Sequence, residues 1–180
     1  MNSIVTIDTC AIIHFMYINR FYLLQVLGYS AITTIYVQLE FERGHPDSLA
    51  YYNKLLNTGD ISQFPLEIED LVEMSNVPQS KRASDAELSC FVVAKRIGGK
   101  AMTDDAKAIK YIQRYILMPP GSIIQLIDLL IEAYIANHLG DHELRSIQKE
   151  LADNKFLIKT DLPTEAARRR WMTGGYNQLA

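Results

Sequence analysis

The sequence has few cysteines, no strong excess of charge and no long uninterrupted hydrophobic run. Its two cysteines, Cys10 and Cys90, stand among apolar residues and form no CxxC pair. This excludes a disulfide-rich secreted scaffold and predicts free thiols in a reducing, cytoplasmic environment. The formal net charge is −3, so the chain as a whole does not attract nucleic acid, and a polyanion needs local basic residues or bound cations.

Neither a secretory leader nor a membrane span is predicted. The N-terminus opens on a short apolar segment rather than on a basic stretch followed by a long apolar one, as a leader requires. The most apolar stretch, residues 123–139, contains Gln125, Asp128, Glu132 and Asn137. These side chains are costly in a bilayer, so the stretch is interpreted as a buried helix and no membrane partner is expected.

The hydrophobic pattern predicts strands that alternate with helices. Helices are expected over residues 11–27, to about residue 56 with a break at Gly44-His45-Pro46, up to Pro78, over 84–97 and from Asp105. The strands between them are expected at residues 4–7, 31–33, 61–64, 100–102 and 115–118. This alternation is typical of a parallel sheet covered by helices on both faces.

The last third of the sequence has a different pattern. From Ser122 the periodicity is helical, with Gly140-Asp141 separating two segments and an irregular tail expected over residues 155–180. A chain of 180 residues suits one hydrophobic core. We therefore expect an α/β domain over residues 1–120 and a helical hairpin with a tail over 121–180, packed on that domain or extending it.

Acidic residues follow two of the predicted strands directly. Asp8 follows the first strand, and Asp104 and Asp105 follow the strand at residues 100–102. Carboxyl ends of parallel strands meet at one edge of a sheet, where ligands bind. Asp85 opens the helix that leads into the second of these strands, and such a helix begins near the same edge. The four carboxylates are therefore expected to lie close together.

Glu40 lies on the helix that follows the second strand. It shares a face with the apolar Val37 and Phe41, so it is expected to point toward protein rather than water. Glu42 lies about 200° away around that helix, at about 100° per residue. Both glutamates cannot serve one site, and the apolar face selects Glu40.

Each acid also has a purely structural explanation. Ser84 and Glu87 have the spacing of a capping box, in which Asp85 only complements the helix dipole. Asp8 and Asp105 are equally suited to cap the helices that follow them. Caps explain the acids singly but not their convergence at one edge of one sheet, where like charges repel unless a cation or protons neutralise them.

Four short segments, taken in order, resemble the PIN domain. They are IVTIDTCAII at the start, V-x-x-E-x-x-x-G at residues 37–44, S-D-A-E-L at 84–88 and T-D-D-A at 103–106. Each segment alone is weak, and the specificity lies in the ordered set, which covers roughly residues 1–120. The resemblance implies a three-layer α/β/α sandwich with a central parallel sheet of four or five strands, and a ribonuclease of toxin–antitoxin pairs or of RNA processing.

The resemblance also implies roles for particular residues. It assigns an acidic quartet to Asp8, Glu40, Asp85 and Asp104, an additional acid to Asp105, and neighbouring hydroxyls to Thr9 and Thr103. Hard oxygen ligands without cysteine or histidine favour Mg²⁺ or Mn²⁺. Such ions hydrolyse phosphodiesters by in-line attack of water. The expected partners are an RNA substrate, an antitoxin or other protein, and a second copy of the chain.

The C-terminal cluster of Arg168, Arg169, Arg170 and Trp171 extends past the PIN-like part. It is suited to contact phosphate and stack on a base, to lie in a groove of a partner chain or sister subunit, or to be a solvated terminal helix. Basic pairs elsewhere, such as Lys81-Arg82, are interpreted as solvated helix faces.

Three other functions compete with the nuclease. A catalytically silent module would use the acids only to bind a cation while it binds nucleic acid or protein. An aspartyl phosphotransfer protein is disfavoured because no second acid accompanies Asp8 in Ile7-Asp8-Thr9-Cys10. A zinc site at His138 and His142 is disfavoured because Gly140-Asp141 interrupts the helix and no cysteine pair is available.

Overall fold

The fold is organised around a five-stranded sheet in the order β3-β2-β1-β4-β5, with every neighbouring pair parallel. The computed structural model describes residues 3–176, with side chains described for 3–173. The strands are β1 (Ser3–Ile7), β2 (Tyr29–Thr33), β3 (Ile61–Gln63), β4 (Lys100–Met102) and β5 (Ile123–Ile124). The predicted α/β class with a central parallel sheet is confirmed.

Helices connect the strands and complete the chain. They are α1 (Thr9–Ile18), α2 (Tyr22–Val26), α3 (Ile35–Gly44), α4 (Pro46–Thr58), α5 (Ile68–Ser75), α6 (Asp85–Ile97), α7 (Ala106–Ile112), α8 (Leu126–Ile135), α9 (Asp141–Asp153) and α10 (Leu162–Tyr176). The break expected at Gly44-His45-Pro46 separates α3 from α4. The helix expected over 11–27 is two helices, because Asn19 adopts a left-handed conformation with φ 48°.

Alternate residues of β1 face the two helical layers. Val5 and Ile7 belong to a buried cluster with Phe15 of α1 and Leu130 of α8. Thr6 points to the other side, where its hydroxyl donates to the Cys90 carbonyl of α6 at 2.9 Å. The sheet is therefore the middle layer of a three-layer sandwich, as the alternation along a strand requires.

The C-terminal helices share the main core with the sheet. Ile147 of α9 and Ala166 of α10 are buried in the same apolar cluster as Val5 and Phe15. Phe156, between α9 and α10, lies with its ring 3.9 Å from the His14 ring of α1, measured between centroids. Residues beyond 120 are thus packed against the α/β part.

Two predicted elements are wrong. Residues 115–118 are not a strand, and β5 instead follows the turn at Pro119-Pro120-Gly121, where Gly121 has φ 76°. β5 therefore lies past residue 120, the expected boundary of the α/β part. The tail expected to be irregular contains α10, which forms because Leu162 and Ala166 give one face that can be buried.

None of the helices in the part of the chain that the structure describes combines the length and apolarity that a membrane span requires. Both cysteines are free, as predicted.

Candidate active site

Asp8 lies where the order of the strands reverses. It follows β1, which pairs with β2 on one side and β4 on the other, the position at which open parallel sheets bind ligands. Its carboxylate accepts from the Ala11 amide at 2.9 Å and thereby caps α1. Only 1% of the residue is exposed. Burial raises the pKa of Asp8 to about 6, although hydrogen bonds from Thr103, Ala11 and Cys10 lower it. The hydrogen bonds therefore compensate only part of the cost of burying the negative charge.

A recess of about 300 Å³ opens over Asp8. Its acidic side chains come from four separate segments of the chain, and two basic side chains stand at its rim. The lining residues are Asp8, Thr9, Cys10, Ile13, Glu40, His45, Lys81, Arg82, Ala83, Ser84, Glu87 and Asp105. Carboxylates therefore converge at this edge as expected, but Glu87 lines the recess where Asp85 and Asp104 were expected.

Glu40 of α3 lines the recess as its helical position predicts. It accepts a hydrogen bond from the Thr9 hydroxyl at 2.5 Å, which fixes one carboxylate oxygen beside the first residue of α1. Glu42 is exposed and accepts from Gln38 of its own helix, at 2.7 Å. Of these two glutamates, Glu40 is the one that lines the recess.

Glu87 is the acid of α6 that faces the recess, and sequence reasoning assigned it only to a cap. Its carboxylate accepts from the Ser84 amide at 2.8 Å, while the Ser84 hydroxyl accepts from the Glu87 amide, so the predicted capping box is present. Burial, followed by the charges of Asp8, Asp105 and Glu40, raises the pKa of Glu87 to about 7. Glu87 is therefore both cap and site residue.

Asp85, the acid of α6 chosen from the sequence, lies outside the recess. It is exposed and lines a neighbouring groove. The difference follows from helical geometry, because residues two apart point about 200° away from each other. The residues three and four positions after Asp85 and after Glu87 are all buried, so the local pattern does not choose between the two acids.

Asp104 follows β4, as expected, but it lies behind the recess. One carboxylate oxygen accepts from the Leu126 amide at the start of α8, at 2.8 Å. The other lies 2.6 Å from His14 Nδ1, and only 2% of the side chain is exposed. Its negative charge still contributes to the raised pKa of Asp8. Both oxygens thus have partners within the protein.

Asp105 and Thr103 adjoin the recess on the β4 side. The Asp105 carboxylate caps α7 by accepting from the Lys107 amide at 2.7 Å and the Ala108 amide at 3.0 Å, and it also lines the recess. Thr103 is buried and forms a hydrogen bond that lowers the pKa of Asp8. Asp105 therefore both caps α7 and lines the recess.

Cys10 occupies the centre of the site, which the sequence did not indicate. Its thiol lies 3.1 Å from an Asp8 carboxylate oxygen, and its sulfur accepts a hydrogen bond from the Asp104 amide at 3.3 Å. Burial raises the pKa of the Cys10 thiol well above its usual range, so the group remains a neutral donor to Asp8. Cys10 therefore bridges the ends of β1 and β4.

The carboxylates are the ligand type that a hard divalent cation prefers, but their arrangement is not that of a formed metal site. Among residues 3–173, no three acidic, histidine or cysteine side chains form a ready metal-binding group. Glu40 and Asp105 instead accept hydrogen bonds from Thr9 and from the start of α7. The donors are oxygens, which Mg²⁺ and Mn²⁺ prefer. The raised pKa values of Asp8 and Glu87 show that negative charge is unfavourable here without a counter-charge.

Lys81 and Arg82 stand in the loop before α6, at the rim of the recess, rather than on a helix face as predicted. Both are exposed. Within the described side chains, neither forms an ion pair. They are therefore available to an anionic ligand in the recess.

The arginines of the C-terminal cluster have partners within the protein. Arg168 contacts Glu165, and Arg169 contacts both Glu165 and Asp128 of α8. Arg170 donates to Asn137 and lies over a tyrosine ring of α8. These contacts favour a helix that is fixed to α8.

Three other residues considered from the sequence lie apart from these contacts. Trp171, the fourth member of the C-terminal cluster, is 79% exposed. His138 and His142 are both exposed, and only His142 belongs to a helix, α9. Neither histidine belongs to a metal-binding group within the described residues.

No protein-family model matches this chain, and no curated protein matches it either. The assignment of the site therefore depends on its geometry and on the ordered motifs.

Proposed function

We propose that the chain is a Mg²⁺- or Mn²⁺-dependent endoribonuclease of the PIN type, which hydrolyses RNA phosphodiester bonds in the Asp8 recess. The observation that carries the proposal is the convergence of Asp8, Glu40, Glu87 and Asp105 from four segments on one recess at the switch point of the sheet. A structural cap needs one acid at one helix, whereas several carboxylates in one recess repel one another unless a cation or protons neutralise them, and a bound cation would do so at neutral pH.

The residues of the recess divide the work by position. Asp8 and Asp105 would hold the ion, and Thr9 would keep Glu40 oriented toward it. A bound divalent cation supplies an activated water and stabilises the oxygen that leaves the phosphate. Glu87, with its pKa raised to about 7, is suited to accept a proton from that water near neutral pH.

Other side chains position the acids and the substrate. The Asp104 carboxylate already accepts from the Leu126 amide, and the Asp104 amide donates to the Cys10 sulfur. Asp104 would therefore position Cys10, which contacts Asp8, rather than bind the ion itself. Lys81 and Arg82 at the rim would attract the phosphate, which a chain of net charge −3 otherwise repels.

The direct test is cleavage of RNA by the purified chain. RNA should be cut in the presence of Mn²⁺ or Mg²⁺, and chelation should stop the reaction. Asp8→Asn keeps the capping geometry but removes the charge, so it should abolish cleavage. Glu42→Gln, an exposed acid on the same helix as Glu40, serves as the control that should cut normally. Equal cleavage by Asp8→Asn and the wild type would refute the site.

The hydrogen bonds that Glu40 and Asp105 already accept from Thr9 and from the start of α7 favour one second candidate. This is a catalytically silent PIN-like module, in which the acids bind a cation only for structure while the surface binds nucleic acid or protein. Mn²⁺ would then raise the unfolding temperature, and no RNA would be cut. A thermal-shift measurement beside the cleavage assay separates the two candidates.

A further inference from the structure

A second, larger depression adjoins the recess. It has a volume of about 900 Å³ and lies between α3, α5, the loop over residues 77–84 and the start of α6. Lys81, Ala83 and Ser84 line both this groove and the Asp8 recess. The groove and the recess are therefore neighbours on either side of this short segment.

The groove has an apolar floor and flat sides. Met74 and Leu88 are buried beneath it. The half-buried Tyr36 and the exposed Pro78, which both carry ring side chains, line it. Planar aromatic side chains are the surfaces on which nucleobases stack, and stacking does not depend on the identity of the base.

Polar groups stand along the same groove. Asp85 and Gln79 are exposed there. Within the described side chains, the Asp85 carboxylate has no ion pair or hydrogen bond. A free carboxylate accepts hydrogen bonds from the amino groups at a base edge. The combination of a flat apolar floor and a few polar groups is more suited to a base than to a purely apolar side chain.

The loop that separates groove from recess is held in place. The Tyr111 hydroxyl donates to the Pro78 carbonyl at 2.5 Å, and the Arg82 amide donates to the Ser80 hydroxyl at 3.2 Å. The ammonium of Lys81 thus stands on an anchored backbone at the junction of the two depressions. A phosphate beside a base would meet a positive charge at this junction.

We propose that this groove binds an unpaired nucleobase of single-stranded RNA, next to the phosphodiester held in the recess. The inference rests on the proposed nuclease function, and it adds a base-binding groove with the residues that contact the base. Paired bases in a duplex are stacked and turned inward, so only an unpaired base can enter a side groove. On this assignment Tyr36 stacks on the base, Asp85 reads its edge and Lys81 contacts the adjoining phosphate.

The test uses a short single-stranded RNA and the same RNA annealed to its complement. Anisotropy in chelator measures binding without cleavage, and a cleavage assay in Mn²⁺ measures KM and the bases beside the cut. The wild type should bind and cut the single strand in preference to the duplex. Tyr36→Ala should weaken binding and raise KM roughly 5- to 100-fold, with Tyr36→Phe close to wild type.

Two further variants keep the test independent of the folding of Tyr36→Ala. Lys81→Ala, an exposed change, should raise KM and reduce the salt dependence of binding. Asp85→Asn should change which base is preferred beside the cut while kcat stays within a few fold. Lys54→Ala, an exposed cation on α4, is the matched control and should change nothing.

The outcomes separate the two proposals. If the wild type binds but does not cut, and Tyr36→Ala weakens binding, the groove stands and the nuclease function fails. If the wild type cuts while Tyr36→Ala and Lys81→Ala keep its KM and base preference, the groove assignment is overturned. A change from dimer to monomer in Leu71→Asp, with RNA binding unchanged, would also overturn it, since the groove would then join two copies. If the wild type neither binds nor cuts, both fail.

Discussion

Asp8 and Asp104 follow neighbouring parallel strands, yet their surroundings differ. Asp8 borders an open recess, and burial raises its pKa to about 6. Asp104 is enclosed by α1 and α8, where His14 and the Leu126 amide bind both of its oxygens. The same sequence pattern thus produces one acid that faces an open recess and one that is enclosed by protein. Whether an acid at a strand end is open or enclosed depends on the helices that cover that strand end.

The largest effects are expected at these two positions, where substitution should affect activity at one and stability at the other. Asp8→Asn should reduce cleavage on the order of 1,000-fold, as loss of a group that stabilises transition-state charge does. At neutral pH without a divalent cation its urea midpoint should not fall, because the substitution removes a buried charge whose pKa is raised. Asp104→Ala should lower the free energy of unfolding by about 3 kcal/mol, because it leaves buried partners unpaired. Urea unfolding and cleavage rates measure the two effects. A stable but inactive Asp104→Ala would show that Asp104 turns into the recess.

The second test concerns the two acids at the start of α6. Glu87→Gln should lower kcat on the order of 100-fold, the scale of a lost general base. Asp85→Asn, two residues earlier, should leave kcat nearly unchanged because this side chain faces the groove. Glutamine keeps much of the capping geometry, so both variants should remain folded by circular dichroism. The reverse order of effects would favour the assignment made from the sequence.

A third test uses pH without any divalent cation. Folding raises the pKa of Asp8 from 3.8 to about 6 and that of Glu87 from 4.5 to about 7. Their contribution to stability is therefore fully present below about pH 4 and is lost as pH rises through 6 to 7. The loss should amount to a few kcal/mol, measured by urea unfolding at pH 5 and pH 8.

The control for this pH test is the double variant Asp8→Asn with Glu87→Gln, which should lose that part of the pH dependence. Mn²⁺ should stabilise the wild type more at pH 8 than at pH 5, since it binds the ionised carboxylates. Equal stabilisation at both pH values would argue against carboxylate ligands.

The smallest expected effect is at the C-terminal arginines. Arg169 contacts Asp128 and Glu165 with moderately exposed side chains, so Arg169→Ala should cost no more than about 1 kcal/mol. Its RNA affinity should match that of the wild type, in contrast with Lys81→Ala at the recess. Anisotropy with the single-stranded RNA measures this difference. If Arg169→Ala weakened RNA binding and Lys81→Ala did not, α10 rather than the recess rim would contact the RNA.

The sequence predicts those elements whose signals are local. β1 to β4, the capping box at Ser84 and the orientation of Glu40 depend on periodicity within a few residues, and the structure has all of them. β5 has only two residues, Ile123 and Ile124, and it forms because β4 offers an unpaired edge. That is a long-range cause which no local pattern contains.

The site illustrates the same division. The positions of Asp8 and Asp105 follow from strand ends, whereas the enclosure of Asp104 depends on His14, 90 residues away in the sequence. The place of Cys10 depends on the juxtaposition of β1 and β4. The choice between Asp85 and Glu87 depends on how α6 is placed over the recess, because buried residues follow both acids at the same helical spacings.

The shared core of the sheet and the last three helices limits how this protein can be shortened. An engineered chain that ended at residue 120 would lose β5 and uncover the faces of Val5 and Phe15 that α8, α9 and α10 keep dry. Such a fragment would expose a strand edge beside a wide apolar surface, the combination that drives chains to aggregate. A minimal version of this protein must therefore be designed by resurfacing α1 and the sheet, not by deletion.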